Sequence, residues 1–225
     1  MTLTRLLDMT GRYAAILLAA LLLFILEPLL ATQRQVPWGL SVVTFFVLMG
    51  SLRAVWAKHA LFYVVAFLGV GLITLETMDA LFGSPWEVAA DLFGIAFLAA
   101  TGTGILLDIF TRDEITADTV FGASAVYLLI GLLFGRIFLL IAHVDPDAFA
   151  VSDALAEELA VEGFRGSGVL HYFSLVTLTT VGYGDVSPVA PLARNLAAVE
   201  AVIAQLFVAA VIARLVALYT TRQPE

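Results

Sequence analysis

Cysteine is absent from all 225 residues, which excludes disulfide staples and thiolate metal ligands and removes any redox signature of the compartment. Charge is scarce too: Asp, Glu, Lys and Arg make up 13% of the chain, where soluble proteins carry about a quarter. Basic residues are the scarcer sign, 11 against 19 acidic, for a formal charge of -8. Nucleic acid is thereby excluded as a partner, because phosphate binding needs a basic surface. Between His59 and Arg112 there is no lysine or arginine at all. Catalytic strings are also missing. No His-x-x-x-His or Gly-x-Ser-x-Gly occurs, and His59, His143 and His171 all lie near the ends of apolar runs, so neither an enzyme nor a cofactor is expected.

What is present is apolar. Hydrophobic residues are 61% of the chain, the composition of a protein dissolved in lipid. About 20 apolar residues cross roughly 30 Å of hydrocarbon, and six stretches approach or reach that length: 13–31, 38–56, 60–75, 86–110, 120–142 and 192–219. The first is long for the apolar core of a cleaved signal peptide and reads as a retained span. Between the fifth and sixth, His171 to Leu178 is apolar but only eight residues long. It is expected to enter the membrane and turn back, which irregular backbone tolerates only where protein or a water-filled cavity surrounds it. About six residues follow the last span, so no attached regulatory domain is expected.

Basic residues collect on the cytoplasmic side. With both termini inside, Arg5, Arg12, Arg53, Lys58, Arg112, Arg214 and Arg222 fall at that face and Arg34, Arg165 and Arg194 at the other. The outer connections are acidic: Glu76, Asp79 and Glu87 flank one, and Asp145, Asp147, Asp153, Glu157, Glu158 and Glu162 populate the long one before the re-entrant stretch. These acids could concentrate cations at an outer mouth, although a solvated loop is the plainer description.

The long loop leads to Thr179-Thr180-Val181-Gly182-Tyr183-Gly184-Asp185. As a bare string, Gly-Tyr-Gly-Asp reads as a surface turn or a weak nucleotide loop. Its context reverses that reading, because it follows a short apolar helix, sits between two full spans, and has Asp185 and Pro188 where the chain must leave the membrane. A dehydrated cation needs oxygens in place of its lost water, and backbone carbonyls supply them without a charge that would trap the ion. Successive carbonyls can aim at one axis only if alternate residues accept unusual dihedrals, which Gly182 and Gly184 do readily. The expected ligands are the carbonyls of Thr180, Val181, Gly182 and Tyr183 with the Thr180 hydroxyl, and Val181 and Tyr183 would wedge the string from behind.

Residues 118–219, above all Tyr172-Phe173-Ser174-Leu175-Val176-Thr177-Leu178 followed by Thr179 to Asp185, resemble the pore module of the tetrameric potassium channels. The identity of the ion is recognised from this resemblance, since Thr-Val-Gly-Tyr-Gly is the potassium-filter string itself. Six spans with the pore loop between the last two resemble the voltage-gated-like branch. The resemblance implies an all-α membrane protein: a scaffold over residues 1–117 and a pore domain over 118–225, the latter with a re-entrant pore helix. It further implies a homotetramer, K+ as the permeant ion, surrounding lipid and a cell membrane, prokaryotic on this reading. A potassium transporter or an accessory subunit is the alternative.

Three departures qualify the resemblance. The fourth span offers Asp91 and Asp108 with Gly94, Gly102 and Gly104 between them, and no arginine ladder, so the first four spans are expected to lack an arginine-based voltage sensor. The glycines are expected to mark close helix contact, as are Gly131 and Gly135. In the sixth span Ala204 stands where relatives carry a hinge glycine; Gln205, Val208, Ile212 and Val216 are assigned to the inner cavity and gate. In the re-entrant helix Tyr172 and Phe173 replace tryptophans; Tyr172 is expected to reach Asp185, whereas Phe173 has no donor and loosens the bracing. Finally, Arg136 and Glu200 each fall inside a span, and their comparable depth suggests an ion pair behind the filter.

Overall fold

The computed structural model describes residues 11, 13–31, 47, 50, 59–82, 86–111, 116–156, 159, 163–164 and 168–220, with the side chains at 27–31, 80 and 215–220 left aside. Among the described residues six helices and two short strands follow in order: α1 (Ala14–Ala31), α2 (His59–Phe82), α3 (Glu87–Phe110), α4 (Ala117–Val144), β1 (Phe149–Val151), α5 (Val169–Leu178), β2 (Val186–Pro188) and α6 (Pro191–Thr220). Among the described residues four helices are long and apolar enough to cross a membrane, namely α2, α3, α4 and α6. The expected second span, 38–56, lies outside the described residues apart from Val47 and Gly50.

Local chemistry sets the helix ends. Thr116 and Thr119 form a reciprocal capping box at the start of α4, each hydroxyl accepting from the other's backbone N–H at 3.3 Å, with Asp118 in the first turn facing the positive end of the helix dipole. The helix α5 starts from Gly168 in the left-handed region at φ 68°. Proline opens α6 at Pro191, a position where its missing N–H costs nothing.

The architecture is organised around α4. Helices α1 and α3 pack against it, α2 packs against α3, and α5 and α6 occupy its remaining surface. One apolar cluster joins Tyr13 and Ile16 of α1, Val65 and Leu72 of α2, Phe97 and Ile105 of α3, and Leu129 and Leu132 of α4. The N-terminal helices therefore share a core with α4. A second cluster lies around Phe134, Phe138, Phe149, Leu170 and Phe173.

The all-α expectation needs one amendment. Phe149–Val151 pairs antiparallel with Val186–Pro188, in the register Phe149↔Pro188, Ala150↔Ser187 and Val151↔Val186. The start of the acidic connection, expected as solvated loop, is thus clamped onto the segment that follows Asp185. Ser152 N–H to the Asp185 carbonyl at 2.8 Å and Val189 N–H to the Ala148 carbonyl at 2.7 Å extend the clamp at both ends. The physical reason is that Ala148 and Phe149 are apolar and buried, which draws this part of an otherwise polar loop onto the second cluster.

The helices α4 and α6 differ in how much of themselves they bury in the chain. Among the described side chains of α6, Ala193, Glu200 and Ala204 are buried, with Leu196, Ala197, Ala201, Phe207, Val211 and Arg214 partly so. These positions recur every three or four residues and form one narrow stripe. Leu192, Val199, Val202, Leu206 and Ile212 are exposed.

Candidate functional site

The string from Thr179 to Asp185 begins where α5 ends. Val181 N–H returns to the Val176 carbonyl at 3.0 Å, and Thr180 N–H to the Thr177 carbonyl at 3.0 Å, so the chain leaves the helix in a tight turn. Then the backbone alternates. Thr180 (φ 60°), Gly182 (φ 57°) and Gly184 (φ 80°) are left-handed, and Val181 and Tyr183 between them are not. Thr180 is the one non-glycine with positive φ among the described residues. For a β-branched side chain this is strained backbone, which persists where surrounding structure enforces it and clusters at functional sites. Thr179, Thr180, Val181, Gly182, Tyr183 and Gly184 are all exposed in the single chain, Tyr183 by 73%. Among the described residues nothing therefore covers the Val181 and Tyr183 side chains.

Beside the string, the Tyr172 hydroxyl donates to Asp185 Oδ2 at 2.7 Å, and Asp185 Oδ1 accepts from Val186 N–H at 3.1 Å. The helix α5 is too short to span, and its Tyr172 hydroxyl is pushed up to about 12, by burial first and by the bond to Asp185 second. The tyrosine thus keeps its proton and remains a donor. Phe173 is braced in another way. Its ring lies 5.1 Å from Phe138 and 5.6 Å from Phe149, edge to face in both cases, a geometry that adds to simple area burial. The expected looseness at Phe173 is therefore corrected by aromatic packing against α4 and β1.

Behind α5, one stripe of α4 does the positioning. A Cβ on Gly135 would lie 2.2 Å from His171 Cδ2 and 3.0 Å from its Cα, and one on Gly131 would lie 3.3 Å from Leu178 Cδ2. The close helix contact expected of this pair is present. Tyr127 continues the stripe one turn earlier, and its hydroxyl donates to the Leu178 carbonyl at 2.8 Å, tying the last residue of α5 just before the string. Sequence reasoning missed Tyr127. Its spacing of four from Gly131 was the available signal. On α3, Gly94 closely faces Arg136, its would-be Cβ lying 3.4 Å from Nε, whereas nothing comes within 4 Å of one on Gly102.

The expected Arg136–Glu200 pair is not formed. Arg136 Nη2 lies 2.5 Å from Glu76 Oε1 and Nη1 lies 3.2 Å from Asp91 Oδ1, with all three side chains buried. Glu200 Oε1 instead meets the Ser174 hydroxyl at 2.5 Å. The expectation rested on depth along the helix, and depth does not fix the face. Arg136 stands about 100° around α4 from Gly135, toward α2 and α3, while Glu200 sits on the stripe that α6 turns inward. His143 Nδ1, 3.3 Å from Glu87 Oε2, adds a more exposed contact between α3 and α4 at the same end.

Ala204 lies on the buried stripe of an unbroken α6. Gln205, Val208 and Ile212 are exposed. Val208 and Ile212 edge a lateral apolar groove of about 410 Å³ shared with Leu17 and Leu21 of α1 and Tyr127 of α4; the Val216 side chain lies outside the described set. At the end of the bundle away from the string, Arg214 of α6 donates to the Ile109 carbonyl at 3.0 Å and stacks over Phe110, which suits a cation at the C-terminus of α3. There Tyr13 also bonds to Asp108 through its hydroxyl and to Asp118 through its backbone N–H.

A cluster of three or more metal-ligating side chains is absent among the described residues. What the site offers is backbone oxygen on an alternating turn. Residues 147–221, from the start of the clamp to the end of α6, match the family model described as Ion channel. This segment is similar to an ion channel. The match spans the clamp, α5, the string and α6, about a third of the chain, and together with the four apolar helices it supports an integral membrane protein that transports ions. No curated protein and no solved structure matches the chain.

Proposed function

We propose that the chain is one subunit of a potassium-selective channel that conducts K+ passively, with Thr180, Val181, Gly182, Tyr183 and Gly184 as its share of the filter. The observation that carries this reading is the left-handed backbone at residues 180, 182 and 184. It occurs on a string that follows a half-length apolar helix lying between two membrane-length ones. Such alternation lets successive carbonyls face one side, where those of Thr180, Val181, Gly182 and Tyr183, with the Thr180 hydroxyl, replace the hydration shell of K+. The C-terminal end of α5, with its partial negative charge, meets the inner start of that row and favours a cation there.

This reading requires several copies, because one turn cannot surround an ion, and the resemblance to the tetrameric channels makes the assembly a homotetramer. The exposed apolar face of α6 and the exposed Val181 and Tyr183 are surfaces for neighbouring copies to cover. In that assembly Gln205, Val208, Ile212 and Val216 line the inner cavity and its gate. Residues 1–117 act as a scaffold that braces α4. Between His59 and Arg112 there is no lysine or arginine to move in the membrane field, so opening is not driven by an arginine-based sensor. Both termini are cytoplasmic, with the acidic connections outside.

The test is K+ efflux from liposomes containing the purified chain. The parent is expected to release K+ at rates that vary weakly with voltage. Gly182→Ala should abolish release while still assembling, because it forces an L side chain to φ 57° at a cost of about 1–2 kcal/mol. Undiminished efflux from the Gly182→Ala tetramer would remove the filter assignment, and a steep voltage dependence would remove the sensor-free reading.

A further inference from the structure

Glu200 and Ser174 are both fully buried, and they form part of a row of three oxygens. Glu200 Oε1 is 2.5 Å from Ser174 Oγ, and Ser174 Oγ is 2.6 Å from the Gly131 carbonyl oxygen. Each gap has the length of an O–H···O hydrogen bond, so each requires a proton. The Gly131 carbonyl has none to give and the serine hydroxyl has one. The gap to Gly131 can be filled only by the serine proton. The gap to Glu200 must then be filled from the carboxyl side, since two facing lone pairs repel at 2.5 Å.

We propose that Glu200 is a protonated carboxylic acid at neutral pH, donating to Ser174, and that this donated proton positions the filter-bearing helix between α6 and α4. The proposal deepens the channel reading and rests on it. A second feature agrees: Glu200 Oε2 is buried and has no hydrogen-bond partner among the described residues, a state a neutral acid bears far better than an anion. The cation at comparable depth, Arg136, is held by Glu76 and Asp91 on the other side of α4. The relay Glu200–Ser174–Gly131 therefore ties α6, α5 and α4 together one turn before the string. Losing the proton would leave the single serine proton for two acceptors, the Glu200 carboxylate and the Gly131 carbonyl, so one of the two ties that hold α5 would be lost.

Other titratable or charged groups stand on the elements packed against this part of α6. On α4, Tyr127 lies within electrostatic range of Glu200; Arg136 faces Glu76 and Asp91, His143 faces Glu87, and Asp118 meets Tyr13 at the far end. On α5, His171 packs on Gly135 and Tyr172 bonds to Asp185, which precedes β2. On α6 itself are Arg194 and Arg214. Tyr127 is the group among these whose own alkaline ionisation acts at Glu200, and the variant below retains it.

The experiment uses the full chain in liposomes with K+ as the probe, read two ways. Infrared difference spectra of parent against Glu200→Gln at neutral pH should show the carbonyl stretch of a protonated carboxylic acid in the parent, lost in the variant. K+ current should fall reversibly as pH rises, approaching about tenfold per pH unit on the alkaline limb of a one-proton site. In Glu200→Gln the amide N–H replaces the acid O–H as donor to Ser174, and the alkaline limb should disappear. Ser174→Ala should lose current already at neutral pH. A parent that selects K+ yet shows no Glu200-dependent acid band, or an alkaline fall that persists in Glu200→Gln, overturns the proposal while leaving the channel reading intact. A parent that assembles but passes no K+ at any pH overturns the channel reading instead.

Discussion

The two sides of α4 solve different problems with different chemistry. Toward α2 and α3 the helix presents Arg136, a buried cation matched by two buried carboxylates. Toward α5 it presents Tyr127, Gly131 and Gly135, which let a short helix approach closely and tie the end of that helix through a hydroxyl and its middle through a carbonyl. A charge cluster holds two bodies together with high energy and tolerates little loss. A glycine stripe with single hydrogen bonds fixes distance and register. The side carrying charge faces α2 and α3, and the string proposed as the filter is positioned from the side without it.

That division can be broken experimentally. The largest effect is expected from Arg136→Met, which leaves Glu76 and Asp91 buried without their guanidinium, a loss of about 3–5 kcal/mol. Thermal unfolding in detergent should register it, and tetramers that survive should keep the parent's ion preference. A shift in that preference would show that the charged side also shapes the filter. Next comes Gly135→Ala, which puts a methyl within 2.2 Å of the His171 ring and forces displacement of α5 at about 1–3 kcal/mol. Here conduction and selectivity should change more than melting does. The smallest is Tyr172→Phe, which deletes the bond to Asp185, worth about 1.5–3 kcal/mol to a charged acceptor when buried and less at this half-exposed site. Current should run down faster under sustained opening, and an unchanged time course would assign the bond to stability alone.

Much of this was legible in the sequence because it is local or periodic. The string, the short helix before it and the Tyr172 to Asp185 contact all lie between Val169 and Asp185, and Gly131 and Gly135 announce their stripe by spacing alone. Arg136 shows where such reading stops. Its depth was available from counting, but its partners are 60 and 45 residues away in sequence, and only the rotation of α4 decides between α2, α3 and α6. Phe173 is similar: missing a donor reads as weakness until Phe138 and Phe149 are seen around it. The clamp of β1 on β2 was hidden because three-residue strands carry no alternation long enough to notice.

The most direct test of the central claim is the reversal potential of the purified parent in liposomes, with K+ on one side and Na+ on the other at equal concentration. Carbonyl coordination by the alternating string predicts a reversal potential displaced strongly toward the K+ equilibrium value. A reversal potential near zero would contradict it.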